Sequence, residues 1–153
     1  MRAKIGDIIE IKTREGLAYA QFTTVVAPYG ALIRVFDEIF QSRPKNLAML
    51  PTLPIRFSNF FPLTSALNQG VVTRVGNEPV PPHLRAQSLF RYGLPDPVSR
   101  KVEEWFLWRG DVDYTKVEKL TPELSRLPTT GVWNIDFLVE KIEDNWRPEQ
   151  DAD

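Results

Sequence analysis

Residues 6–25 read GDIIEIKTREGLAYAQFTTV. From Asp7 to Thr13 the side chains alternate. Asp7, Ile9, Ile11 and Thr13 fall on one side of the backbone and Ile8, Glu10 and Lys12 on the other, which is the period-two pattern of a β-strand. Glu15-Gly16 reads as a tight turn, because glycine supplies a positive φ at little steric cost. A return strand runs from about Leu17 to Val26. On it, Ala18 and Ala20 face the same way as Phe22 and are small enough to let another layer approach, and the C-terminal helix is the expected layer. Pro28-Tyr29-Gly30 is a turn signal, and ALIRVF, residues 31–36, is a third strand. Three successive antiparallel strands make a meander, about the minimum for a sheet that stands by itself.

Beyond the meander the pattern loosens. Pro44, Pro51 and Pro54 argue against a long helix or central strand between Asp37 and Pro54. IRFSNFFPL, residues 55–63, predicts a fourth strand. Pro62 to Gln69 predicts a short helix stopped by Gly70, and Val71 to Val75 another short strand. Gly76 to Pro97 holds five of the 13 prolines and reads mostly as loop. Glu103 to Leu120 predicts a hairpin with a two-residue turn at Gly110-Asp111. On its first arm Trp105 and Leu107 share one face and Phe106 and Trp108 the other. A strand apolar on both faces is buried twice or keeps one face for a partner.

Thr121-Pro122-Glu123 is a helix start: a capping hydroxyl, a proline at the first position and an acid in the first turn. From about Trp133 to Asn145 a last helix places Ile135, Leu138, Val139, Ile142 and, just past its end, Trp146 on one stripe. The expected fold is therefore α+β: an antiparallel, strongly bent sheet or partly open barrel with a C-terminal helix packed on it. Residues 1–148 are expected to form one domain, and residues 149–153 an acidic flexible tail.

Composition narrows the chemistry. The chain has 153 residues, 42% of them apolar and 25% charged, and a formal net charge of −1, so no overall field draws nucleic acid or an anionic membrane. Residues 133–153 carry seven acids against Lys141 and Arg147, which reads as a solvated helix face before it reads as a binding surface. There is no cysteine, and the single histidine, His83, stands in a proline-rich loop. A disulfide framework and a thiolate metal site are excluded, and a nucleophilic triad would rest on His83 alone. Asp7 reads as a turn residue bonding local amides, and Asp111 and Asp113 lack the rest of a calcium loop. No signal core or span-length apolar run is present, so the expectation is a soluble, cytoplasmic chain without cofactor or metal.

The opening GDIIEIKTREGLAYAQFTTV and the following YGALIRVFD resemble the start of the immunity protein 26 family of bacterial polymorphic toxin systems. The resemblance rests on Gly6, Asp7, Ile8, Ile9, Ile11, Gly16, Tyr19, Val35 and Asp37 and covers mainly residues 6–37. The Pro-rich middle and the NWRPE after the last helix have no place in that pattern. The resemblance implies a non-catalytic, cytoplasmic antidote that binds a toxin domain and blocks it. On that reading the contact falls on Tyr29, Trp105, Trp108, Asp111 and Asp113, where aromatics anchor and acids complement a basic cleft. The alternative is a small nucleic-acid-binding β-rich domain using strand aromatics with Arg34, Arg56, Arg74 and Arg91. An enzyme would need two carboxylates converging in a deep pocket.

Overall fold

The computed structural model describes residues 2–111 and 113–151. The meander forms as the alternation predicts: β1 (Asp7–Thr13), β2 (Gly16–Val26) and β3 (Gly30–Phe36) pair in sequence, all antiparallel. β4 (Ile55–Phe60) adds beside β3 and β5 (Thr73–Asn77) beside β1, giving a five-stranded sheet in the order β4-β3-β2-β1-β5. A second antiparallel sheet holds β6 (Phe90–Pro95), β7 (Val102–Trp108) and β8 (Tyr114–Val117), with β7 in the middle. The fold is α+β, and neither sheet closes into a barrel. Among the described residues three short α-helices complete it: α1 (Leu63–Gln69), α2 (Pro122–Ser125) and the C-terminal α3 (Ile135–Glu143).

The turn of the first hairpin lies at Arg14-Glu15, with Gly16 already opening β2. Gly16 is required there for two reasons. Its φ is +145°, and a Cβ would stand 2.5 Å from the carbonyl oxygen of Phe40, where the passing chain bridges to Leu17. Ile9 and Ile11 face the same way as Ala20 and Ala18, their cross-strand partners. All four join one buried cluster with Leu63 and Ala66 of α1 and Leu138, Ile142 and Trp146 from α3 and its end. The small side chains of β2 thus lie where the C-terminal helix docks. Asn134 caps α3 by accepting the Phe137 amide at 2.8 Å.

The opposite face of the sheet is also covered. Ile8, Tyr19 and Phe36 pack with Leu50 from a 3-10 turn, Leu47–Thr52, in the irregular stretch where prolines had argued against a long helix or strand. Polar groups on both faces of the sheet are bonded within the fold. Glu10 accepts from the Tyr19 hydroxyl at 2.7 Å and from Arg43 at 2.7 and 3.1 Å. The Arg43 bonds hold the Glu10 carboxyl below its ordinary range. Asp7 is fully buried and accepts from the Lys4 amide, Arg74 and Asn77. It bonds a local amide as expected, and it also fastens β1 to β5. Burial pushes its carboxyl up, but the bonds from Asn77, Arg74 and Lys4 outweigh that, and the net shift is downward. Asp37, at the end of β3, is held low first by Arg147 and then also by Arg56, whose guanidinium donates to the Ile142 carbonyl of α3 as well.

Two local expectations are corrected. The stretch from Gly76 to Pro97 is not mostly loop. It contains the end of β5, a 3-10 turn at Pro82–Leu84 and all of β6. Phe90, Tyr92 and Leu94 alternate correctly for a strand, and Pro95 is tolerated because it ends a strand on the sheet edge. The late hairpin has no two-residue turn: Trp108 pairs with Tyr114, so residues 109–113 make the connection, of which 112 lies outside the described residues. The Trp108 indole donates to the Asp111 carbonyl and the Asp113 amide to the Asp111 carboxylate, which organises the wider loop. Pro148–Asp151, across the expected start of the flexible tail at residue 149, is a 3-10 turn. Arg91 donates to the Pro148 carbonyl at 2.8 Å and Arg126 pairs with Glu149. Residues 152–153 of that tail lie outside the described residues.

Candidate functional site

The two sheets meet through aromatic rings. Tyr29 stacks on Phe60 (5.0 Å between centroids), Phe60 on Phe90 (5.2 Å), and Phe90 and Tyr29 each contact Trp108 at 5.4 Å. Leu32 closes this cluster from β3. Edge and offset contacts of this kind add to the area term of aromatic burial, so the second sheet is fixed firmly at its Phe90–Trp108 end.

Three of the five expected contact residues are therefore occupied within the chain. Trp108 is 3% exposed and Trp105 8%. Trp105 packs under the Arg91 guanidinium, 5.0 Å from its ring centroid. Tyr29 is half-buried between Phe60 and Trp108. Little of either tryptophan is left for a partner, because the strand is apolar on both faces for the first of the two reasons over most of its length. Asp111 and Asp113 are exposed, on the connection after Trp108.

The other end of the same face is open. Register places Tyr92 opposite Phe106, and Tyr114 opposite Trp108, so these side chains share one side of the sheet. Tyr92, Leu94 and Tyr114 are 38%, 42% and 43% exposed. Together with Phe106 they line a hollow of about 380 Å³. Tyr92 lies 6.3 Å from Phe106 and 5.6 Å from Tyr114, with ring planes inclined by 50° and 63°. The Tyr29 hydroxyl, with burial, pushes the Tyr114 hydroxyl up to about 12, so the phenol stays neutral at physiological pH. A contiguous set of exposed aromatic and aliphatic side chains on a soluble surface marks an interaction site more often than four scattered ones would. Tyr92, Leu94 and Tyr114 were not singled out by sequence reasoning. The signal was the alternation Phe90, Tyr92, Leu94, obscured by Gly93 and Pro95.

The four arginines of the nucleic-acid reading point inward or are engaged. Arg34, Arg56 and Arg91 are buried, and Arg74 pairs with Asp7 at 2.8 Å. Arg34 uses all five donor positions on neutral acceptors: Thr23, Ser58, Gln87 and the carbonyls of Leu84 and Ala86. Burial lowers its pKa to about 10. These guanidiniums brace the fold and are not set out for phosphates. His83 is exposed in its 3-10 turn. Among the described residues no group of three or more His, Asp or Glu side chains could hold a metal ion, and no helix is long and apolar enough to cross a membrane. Comparison with protein families, curated proteins and solved structures gives no match.

Proposed function

We propose that this chain is a non-catalytic protein-binding module, an immunity-type protein that occupies and blocks a cognate toxin domain in the bacterial cytoplasm. The observation that carries the reading is the open aromatic face of the small sheet, Tyr92, Leu94, Phe106 and Tyr114; Asp111 and Asp113 are exposed on the connection that leads into Tyr114. Tyrosine is the residue type that interfaces favour at their centres, and a rigid sheet presents it at low entropic cost. The likeness of residues 6–37 to the immunity protein 26 pattern supports the class of partner. That stretch is the buried meander, so it speaks for scaffold and not for contact.

The contact thus moves from the tryptophans to the tyrosines. The test is neutralisation. A candidate toxin domain, taken from a gene neighbouring this chain's own, is expressed with and without it in a growth assay. Rescue by the wild-type chain and loss of rescue by the Tyr92→Ala/Phe106→Ala variant is the expected result. Equal rescue by both would remove the aromatic face from the mechanism, and no rescue at all would remove the function.

A further inference from the structure

Between β5 and β6 the chain crosses the five-stranded sheet as a strap, residues 78–87. It passes over Gln21 and Arg34, cross-strand partners on β2 and β3. Of the strap's side chains only that of Val80 is buried. Among the described residues Glu78, His83 and Arg85 enter no ion pair. What seats the strap is a row of acceptors. The Glu78 carbonyl accepts from Gln21 Nε2 at 2.9 Å, and the Leu84 and Ala86 carbonyls accept from Arg34 Nη2 at 3.2 and 3.4 Å. The Gln87 side chain accepts from Arg34 Nη1 at 3.1 Å. Within the strap Arg85 donates to the Val80 carbonyl at 3.0 Å and the Leu84 amide to the Pro81 carbonyl at 2.9 Å. These bonds, with Pro79, Pro81 and Pro82, hold its own shape.

We propose that the strap lifts as a unit while the sheet beneath stays folded, uncovering a cleft floored by Gln21, Thr23, Arg34 and Ser58. The inference goes beyond the antidote reading and does not rest on it. The strap is undercut. A hollow of about 490 Å³ is lined by Thr23 together with Glu78, Pro79 and Val80, and one of about 310 Å³ by Arg34 and Ser58 together with Leu84 and Gln87. Arg34 donates to Thr23 at 3.0 Å, so the two hollows adjoin along the seat. The groups beneath gain from water. Arg34, 5% exposed, carries a buried charge with no ion pair among the described residues, and Gln21 Oε1 is buried without a bonding partner. Opening hydrates both, and it hydrates the strap's carbonyls in place of the bonds they give up, so each lost bond has a small net cost. The buried apolar side chain that opening exposes on the strap is Val80 alone. Both ends are pinned: the Glu78 amide donates to the Gly6 carbonyl at 3.0 Å, and Phe90 is held between Phe60 and Trp108. The opening is therefore confined between them and falls short of global unfolding.

The chain has no cysteine, so one introduced thiol reports one site. Val80→Cys and Val35→Cys, the latter at a fully buried position on β3, are labelled with DTNB in the native full chain. Val80→Cys is expected to react at least roughly 100-fold faster, because its site opens without the sheet. In urea well below the unfolding midpoint its rate should stay nearly flat, since a lifted strap exposes little surface. Each slope is compared with the same variant's own global unfolding, so a weakened fold does not blur the result. Gln87→Ala, at the far end of the strap, should speed labelling of Val80→Cys roughly threefold or more, as the loss of one seating bond requires if the strap moves whole. Equal labelling of the two thiols, a Val80→Cys rate that climbs with urea as steeply as global unfolding, or indifference to Gln87→Ala would overturn the proposal.

Discussion

Truncating Leu138 to alanine tests how the molecule is assembled. Leu138 is fully buried on α3 and joins the cluster of Ile9, Ile11, Ala18 and Ala20. The substitution removes three carbons, about 2.4 kcal/mol at roughly 0.8 kcal/mol per buried methylene. A cavity term adds to that, since β2 offers only alanine methyls and a rigid sheet backbone to collapse into the space. The expected loss is about 3 kcal/mol, inside the range known for buried leucines. For a chain of this size that corresponds to a fall in Tm of roughly 6–12 °C. The assay is urea and thermal denaturation followed by circular dichroism, with Glu140→Ala, exposed on the same helix, expected within about 0.5 kcal/mol of wild type. A loss below about 1 kcal/mol for Leu138→Ala at unchanged urea dependence would mean that α3 is not docked on the meander, and the layer argument would be wrong.

Four further outcomes follow from the packing and the charges. Ala20→Leu, which forces three carbons into the same interface, should cost about 1–3 kcal/mol in the same denaturation assay, and a neutral result would show the interface to be loose. Gly16→Ala should destabilise by about 2 kcal/mol, because φ is +145° and the Phe40 carbonyl blocks the Cβ; unchanged stability would contradict the Leu17–Phe40 bridge. Asp7, Glu10 and Asp37 all have folded-state pKa values below their ordinary ones, so their stabilisation is full above the unfolded carboxyl range and is lost as pH falls through the folded values. The urea midpoint should hold between about pH 7 and pH 5 and drop below about pH 4, and a midpoint that rises on acidification would refute the assignment. With Trp105, Trp108 and Trp146 buried, native tryptophan emission should be blue-shifted and poorly quenched by iodide, whereas water-like emission would return the tryptophans to the surface.

The meander was legible because its two signals agree: strict alternation in β1 and glycine where the chain turns. The helix at Pro122 was legible for the same reason, since Thr121 accepts an amide three residues on; α3 was legible from its apolar stripe, and its cap, Asn134, was not. The second sheet was half legible. Its β7–β8 hairpin showed in the sequence, but β6 was hidden behind Gly93 and Pro95 in a stretch rich in proline. That omission kept the face proposed above out of the sequence reading. With two strands in view, a face carrying Phe106 and Trp108 has no defined inside. Once β6 is added, Phe90 and Trp108 turn towards Phe60, and Tyr92 and Phe106 are left at the open end. The inward turn of Arg34, Arg56 and Arg91 was not legible at all, because a basic residue on a strand carries no mark of which acceptors the fold will bring to it.

The central claim is that the open face of the small sheet is where a protein partner binds. Isothermal titration of the chain against the cognate toxin domain proposed above measures this directly. The account predicts a tight one-to-one complex that Tyr92→Ala/Phe106→Ala weakens by roughly 100-fold, as the loss of two central aromatic anchors should. A complex of unchanged affinity in that variant, with its fold intact by circular dichroism, would contradict it.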